Sequence, residues 1–263
     1  MTDYSIQTGV DAEPRRVVIY SQPGMGKTTL ASYTPHPVFI QAEDGLAGIG
    51  ADRLPLVKDY DDFTGQLRWL YKNSNGYKTL VVDSVDALDR HIADEICKRY
   101  NEKEKPTIAK DSVAGIPYGG GYKLVSEEWA KLLTKTLQAF RNKGMNIVLI
   151  SHSTVERFED PGMMSYDRTT LSIDKRAARI ITGWADDIFY IRRDVTIRTD
   201  KTGFTEKKKA DESDERILIT CGSTTVTAKS RSPELSKMGK VLLTDESLGK
   251  QTFDKYLSPL FKS

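Results

Sequence analysis

Cysteine and histidine are scarce: the 263 residues hold two of the first and three of the second. Cys97 and Cys221 lie far apart and in no metal-ligand spacing, so neither a disulfide framework nor a zinc site is expected. Free thiols in a chain of this size suit a reducing compartment. Long apolar runs are lacking too. No stretch approaches the length of a membrane span, and the first residues lack the basic start and apolar core of a secretory signal. A cytoplasmic protein without a membrane partner is expected. One sign of charge does not dominate either, because 39 lysines and arginines against 37 acids leave a net charge of +2. That balance announces no polyanion partner, yet it leaves room for a local basic groove. The length suits one large α/β domain, or one domain with insertions, and is enough to bury a proper core.

What the chain does have is the stretch VVIYSQPGMGKTT, Val17 to Thr29. A short apolar run enters a turn rich in Gly and Pro, and the turn ends in Gly26-Lys27-Thr28-Thr29. The order is strand, phosphate loop, helix. Backbone N–H groups converging on an anion, glycines that allow close approach, and a Lys ammonium are what a phosphate requires. Ser21, Gln22, Pro23, Gly24, Met25, Gly26, Lys27, Thr28 and Thr29 are therefore the expected nucleotide-binding residues. Lys27 would reach the β- and γ-phosphates, and the Thr28 hydroxyl would sit on Mg²⁺. ATP and Mg²⁺ are the expected cofactors. The first glycine of the usual loop pattern is replaced by Ser21.

Residues 1–14 read as an arm, 15–231 as the core and 232–263 as a helical extension. After the loop a short helix is broken by Thr34-Pro35-His36-Pro37. Strands are expected at 38–40, 54–57, 79–82, 146–151 and 187–193, with helices after Asp61 or Asp62, after Ser84 and from Ser126. Residues 102–124 and 153–180 read as two irregular segments that mix cations, aromatics and glycines. A hairpin arm tipped by Lys207-Lys208-Lys209 leads to 216–220, and 224–228 continues the sheet. Alternating strands and helices imply a mainly parallel sheet with helices on both faces, and the late hairpin adds antiparallel strands at one edge.

In such a sheet, ligands sit at the carboxyl ends of the strands. Asp83, after Leu80-Val81-Val82, can hold Mg²⁺, although a helix N-cap is the other use of an Asp there. Glu43 can orient or deprotonate an attacking water; Asp44 is its runner-up, and a surface acid the alternative. His152, after Ile147–Ser151, can sense the γ-phosphate or merely satisfy a strand-end carbonyl. Lys229 and Arg231 can reach a phosphate in the same subunit or across an interface, or can simply form a solvated turn. The two irregular segments suit single-stranded nucleic acid, held by cations and aromatic faces, or are surface loops.

On these residues the sequence resembles the RecA/RadA-type recombinase core. Phe39-Ile40-Gln41-Ala42-Glu43 is similar to that family's strand ending in its catalytic glutamate, and Leu80 to Leu88 resembles its Walker B segment with the Asp-Ser pair. Leu149-Ile150-Ser151-His152 falls where the family carries its γ-phosphate sensor. Ala228-Lys229-Ser230-Arg231 is similar to the Lys/Arg motif that RadA-like proteins present to a neighbour's ATP. A closer resemblance is to the shortened phage-encoded relatives, including the Sak-four type single-strand annealing proteins; the proline in the loop, Tyr118–Tyr122 and Trp184-Ala185-Asp186-Asp187 also match. The resemblance implies a RecA-like P-loop NTPase core and an ATPase stimulated by single-stranded DNA, with Lys27, Glu43 and His152 catalytic and Thr28 and Asp83 on the metal. It further implies DNA contact by 102–124 and 153–180, a homo-oligomer (ring or short filament), a role in annealing or recombination in a host cytoplasm, and a single-strand-binding protein as a further partner. A small-metabolite P-loop kinase and a slow or non-hydrolysing ATP-binding scaffold remain as alternatives.

Overall fold

The computed structural model describes residues 13–74, 76–159, 162, 164–202, 205–243 and 249–261, with the backbone alone described across 196–202 and 205–212. The first strand, β1 (Arg16–Ser21), is buried from Val17 onward. It feeds the phosphate loop and the six-residue helix α1 (Lys27–Ser32). There follow β2 (Pro37–Gln41), the short β3 (Asp52–Arg53), α2 (Tyr60–Asn73), β4 (Thr79–Asp83) and α3 (Val85–Glu104). Next come α4 (Gly120–Lys131), which runs through a π-helical stretch at Leu132–Leu137 into α5 (Gln138–Asn142), then β5 (Asn146–Phe158), β6 (Tyr166–Leu171) and α6 (Lys175–Trp184). Last among the described residues come β7 (Asp187–Thr202), β8 (Thr205–Ile219), α7 (Pro233–Met238), β9 (Lys240–Leu243) and α8 (Lys250–Thr252), which runs on through a π-helical stretch at Phe253–Leu257 and a 3₁₀ turn at Ser258–Leu260.

The described strands form one sheet in the order β3-β2-β4-β5-β1-β7-β8-β9, with β6 paired to β5 off this path. Pairings from β3 to β7 are parallel, and those of β7 with β8 and β8 with β9 are antiparallel. Period-2 alternation divides the strand residues between two cores. Val18, Tyr20, Ile40, Val82 and Leu149 pack under α2, α3, α4 and α6. Val17, Ile19, Phe39, Val81 and Val148 pack with Leu30 of α1 and with Leu235, Phe253 and Leu257 from the end of the chain. The expected α/β class is the one observed: a mainly parallel sheet, helices on both faces and an antiparallel hairpin at one edge.

Several local expectations are corrected. Residues 153–180 are not mostly irregular: β5 continues through His152 to Phe158, returns as β6, and is followed by α6. A two-stranded ribbon leaving the core has no need of the apolar run that marks a buried strand. Residues 102–124 are shortened at both ends, because α3 reaches Glu104 and α4 begins at Gly120 instead of Ser126. Gly121 permits that start: a Cβ there would stand 2.2 Å from the carbonyl oxygen of Val113. The strand near 54–57 is instead Asp52–Arg53. Asp59, not Asp61 or Asp62, caps α2, accepting from the Asp62 N–H. Residues 224–228 make only an isolated bridge, Thr169 to Val226. The segment 232–263 is not purely helical, since β9 inserts Val241 and Leu243 into the core while Lys240 and Leu242 face out. The Lys207–Lys209 side chains lie outside the described residues, as do residues 1–12 of the arm.

Candidate nucleotide site

The turn after β1 has the backbone that its glycines permit, with Gly24 at φ +75° and Gly26 at φ +90°. Ser21 needs no such freedom. It closes β1 as a fully buried strand residue, and its hydroxyl donates to the Gln22 carbonyl at 2.8 Å. The departure from the usual first glycine is therefore accommodated by strand geometry. Met25 packs against the core on the α1 side. Thr29 lies in the first turn of α1, and its carbonyl accepts from Ser32.

Lys27 is buried, and its Nζ donates to the carbonyls of Ser21 (3.3 Å) and Gln22 (3.2 Å). Burial lowers its pKa, while the charges of Asp83, Asp86 and Glu43 oppose that shift. Thr28 Oγ1 donates to Asp83 Oδ2 at 2.8 Å. Helix α3 is capped by the next residue, Ser84, whose side chain accepts from the Ala87 N–H, so the N-cap use of Asp83 does not apply. Burial lifts the Asp83 carboxyl to about 6; the Thr28 hydrogen bond pulls it down, the Glu43 charge pushes it up, and Lys27 pulls it down again. A hydroxyl and a carboxylate side by side form an all-oxygen donor set that fits a hard cation such as Mg²⁺.

Glu43 follows β2 beside Asp83, and its backbone N–H points at the Asp83 carbonyl (3.3 Å). Its Oε1 lies 3.9 Å from His152 Nε2. Asp44 is exposed. His152 is not at a strand end but within β5, in register with Ser21. A residue to which sequence reasoning gave no role holds it there. Asp86, in the first turn of α3, accepts the His152 backbone N–H at 2.9 Å and faces Nδ1 at 2.7 Å. A carboxylate acceptor assigns the proton to Nδ1 and turns Nε2 toward Glu43. Burial pushes the Asp86 carboxyl up, but its hydrogen bonds to His152 outweigh that and hold it below the usual value. Asp86 lies three residues after Asp83, across the junction of β4 and α3, and no local pattern marks it. Among the described residues, Glu43, Asp86 and His152 are the one group of three potential metal-ligating side chains within 4.8 Å.

The family model described as "AAA domain" (AAA_24) matches residues 13–232. The chain belongs to that AAA domain family. Family and phosphate loop together mark a P-loop NTPase. Similar to this AAA domain is the SPbeta prophage-derived uncharacterized protein YorG of Bacillus subtilis (strain 168), 25% identical over 150 residues. That alignment takes in 55% of this chain and 43% of YorG, less than half of the relative's length. The crystal structure of the RadB recombinase is similar at a TM-score of 0.45 and 13% identity, over 90% of each chain.

The AAA domain does not bring every expected residue to the loop. Lys229 and Arg231 sit at the opposite end of the sheet. Lys229 pairs with Ile188 near the start of β7. Arg231 reaches Asp186 at 3.2 Å, and its N–H donates to Asp187. Asp186 also holds Arg16, at the start of β1, through bonds of 3.0 and 2.6 Å. The loop leaves the far end of β1, a strand of about 15–20 Å at ~3.3 Å per residue. Contact with the nucleotide of the same subunit is thereby corrected. Burial lowers the Lys229 pKa.

The two segments expected to be loops meet each other. Arg176 of α6 donates to the Gly119 carbonyl (3.3 Å) and lies over the Tyr122 ring. On the β5–β6 hairpin the Arg168 guanidinium lies over Phe158 (4.6 Å) and Tyr166 (5.4 Å). Beside it is a cavity of about 370 Å³ whose charged lining is Glu156, Arg157, Glu159, Arg168, Lys175 and Arg179. Tyr118 is fully exposed at φ +58°. Among the described residues no helix is long and apolar enough to cross a membrane.

Proposed function

We propose that this AAA domain is a Mg²⁺- and ATP-dependent ATPase that binds single-stranded DNA and promotes strand annealing or homologous recombination, a phage-derived protein of the Sak-four type working in a host cytoplasm. One observation carries the reading. Strand β5 passes beside the phosphate loop at His152 and continues without a break into the hairpin that bears Arg157, Phe158 and, on β6, Arg168. Arginines set beside aromatic rings on this hairpin are the kind of groups that hold a nucleic-acid strand by phosphate contact and base stacking, although Glu156 and Asp167 lie opposite them across the strand pair. The relationship to a prophage-derived protein supports the phage origin.

Lys27 would meet the β- and γ-phosphates, and Thr28 and Asp83 would hold a Mg²⁺ that offsets phosphate charge. Glu43 orients or deprotonates the attacking water. His152, held by Asp86, reads the γ-phosphate and relays its loss to the hairpin. Lys229 and Arg231, remote from their own loop, act on a neighbour's nucleotide in a ring or short filament, as arginine fingers do.

The test is steady-state ATP hydrolysis by the purified protein, with and without single-stranded DNA, at two salt concentrations. Stimulation that fades as salt rises is expected, because phosphate contacts release counterions. Absence of both stimulation and DNA binding would overturn the reading, and phosphate transfer to a small acceptor without any DNA effect would mark a metabolite kinase instead.

A further inference from the structure

Arg216 belongs to β8, far along the chain from the phosphate loop, yet its guanidinium lies against that loop. A Cβ built on Gly26 would stand 3.1 Å from Arg216 Nη1. The register explains how it gets there. Arg216 is directly opposite Arg193 of β7, and cross-strand partners share a face of the sheet. Leu218, two residues further along β8, packs in the same core as Leu30 and Ala31 of α1. Both arginines therefore face the α1 side at the carboxyl end of β1. Like charges directly opposite one another destabilise a strand pair. Asp214 offsets Arg193 at 2.7 Å.

The layout of the sheet says which part of a nucleotide held by the loop comes near. Strand β1 lies between β5 and β7. Asp83, Glu43 and His152 come from β4, from the end of β2 and from β5, all on the β5 side. A nucleotide whose γ-phosphate meets those groups directs its α-phosphate and nucleoside the other way, toward β7 and β8. On that side a cavity of about 190 Å³, lined by Gln22, Met25, Tyr190 and Arg192, opens beside the loop.

We propose that Arg216 binds the α- and β-phosphate side of the nucleotide held by its own phosphate loop, with the nucleoside directed toward the cavity beside Tyr190. This assignment rests on the nucleotide-binding reading above. It makes Arg216 a binding residue that does not distinguish ADP from ATP, since both carry the phosphates it contacts.

The experiment is isothermal titration of the full chain with ADP and with a non-hydrolysable ATP analogue, both with Mg²⁺, for the wild type, Lys27→Ala, Arg216→Ala and Arg216→Lys. Loss of a charge-assisted hydrogen bond predicts that Arg216→Ala weakens both nucleotides alike, by roughly tenfold to a hundredfold. Arg216→Lys recovers part of the loss, because Lys keeps the charge without the planar fork. Unchanged affinities in Arg216→Ala, alongside loss in Lys27→Ala, overturn the role of Arg216 and leave nucleotide binding standing. A loss confined to the ATP analogue also overturns it, since that outcome belongs to a γ-phosphate group. A wild type that binds neither nucleotide overturns both readings. Should Arg216→Ala fail to fold, Arg216→Lys decides alone: weaker binding of both nucleotides supports the assignment, and unchanged binding overturns it.

Discussion

Two carboxylates three residues apart, Asp83 and Asp86, are set to opposite purposes by their surroundings. Asp83 titrates near 6 because it is buried, well above its unfolded value of 3.8. Folding therefore takes up a proton at this group. Its contribution to stability is full below about pH 4 and is lost as pH rises through 6. Asp83→Asn is accordingly expected to raise the melting temperature of the ligand-free protein at pH 7, by the equivalent of about 1–3 kcal/mol, with the gain gone at pH 4. The same variant should lose Mg²⁺-dependent nucleotide binding, the exchange of stability for function that sites of this kind show. Thermal melts at the two pH values check this, and a variant less stable than wild type at pH 7 would sink the argument. Asp86 instead serves by fixing the His152 ring. Asp86→Ala and His152→Ala are each expected to slow ATP turnover by about 10²-fold, and the double variant no further than either single. Additive losses in that cycle would separate the two residues.

At the scale of elements, α4 starts where it does because Gly121 lets the helix rest on the Val113 backbone. Gly121→Ala should cost about 1–3 kcal/mol through overpacking, read from denaturant unfolding; an unchanged midpoint would show that the contact yields easily. That position also shows what was legible in the sequence. Three successive glycines read as loop, because helix propensity there is poor, and only the tertiary contact at Val113 explains the helix. By contrast β1, β2, β4 and the first half of β5 were plain, since each is an uninterrupted apolar run that both faces of a covered sheet demand. The second half of β5 was hidden because its exposed residues, such as Val155 and Arg157, answer to a hairpin partner and not to a core. Strand β9 was hidden by its brevity. In the site, Lys27 and Thr28 were readable because they close a glycine-rich loop at the start of a helix, and Asp83 and Glu43 because each stands at or just past a strand end with the right chemistry. Asp86 and Arg216 were not, because their importance lies in contacts to His152 and Gly26 that no local pattern announces.

At the scale of the molecule, cations are gathered at both ends of β1. One set adjoins the phosphate loop, and the other, with Arg16 and Arg231 on Asp186, lies at the start of the strand. If the second set serves a neighbour, an equimolar mixture of Lys27→Ala and Arg231→Ala, each inactive alone, should regain about a quarter of wild-type hydrolysis, because one pairing in four joins an intact loop to an intact arginine. No recovery would confine Arg231 to its ion pair with Asp186. The continuity of β5 has a mechanical meaning as well. From His152 to Phe158 the strand covers about 20 Å and is braced by β6 along its outer half. Pairing with β6 stiffens that stretch relative to a lone strand, so a shift of the β5 backbone at His152 would be carried outward along 153–158 instead of being lost in a loop.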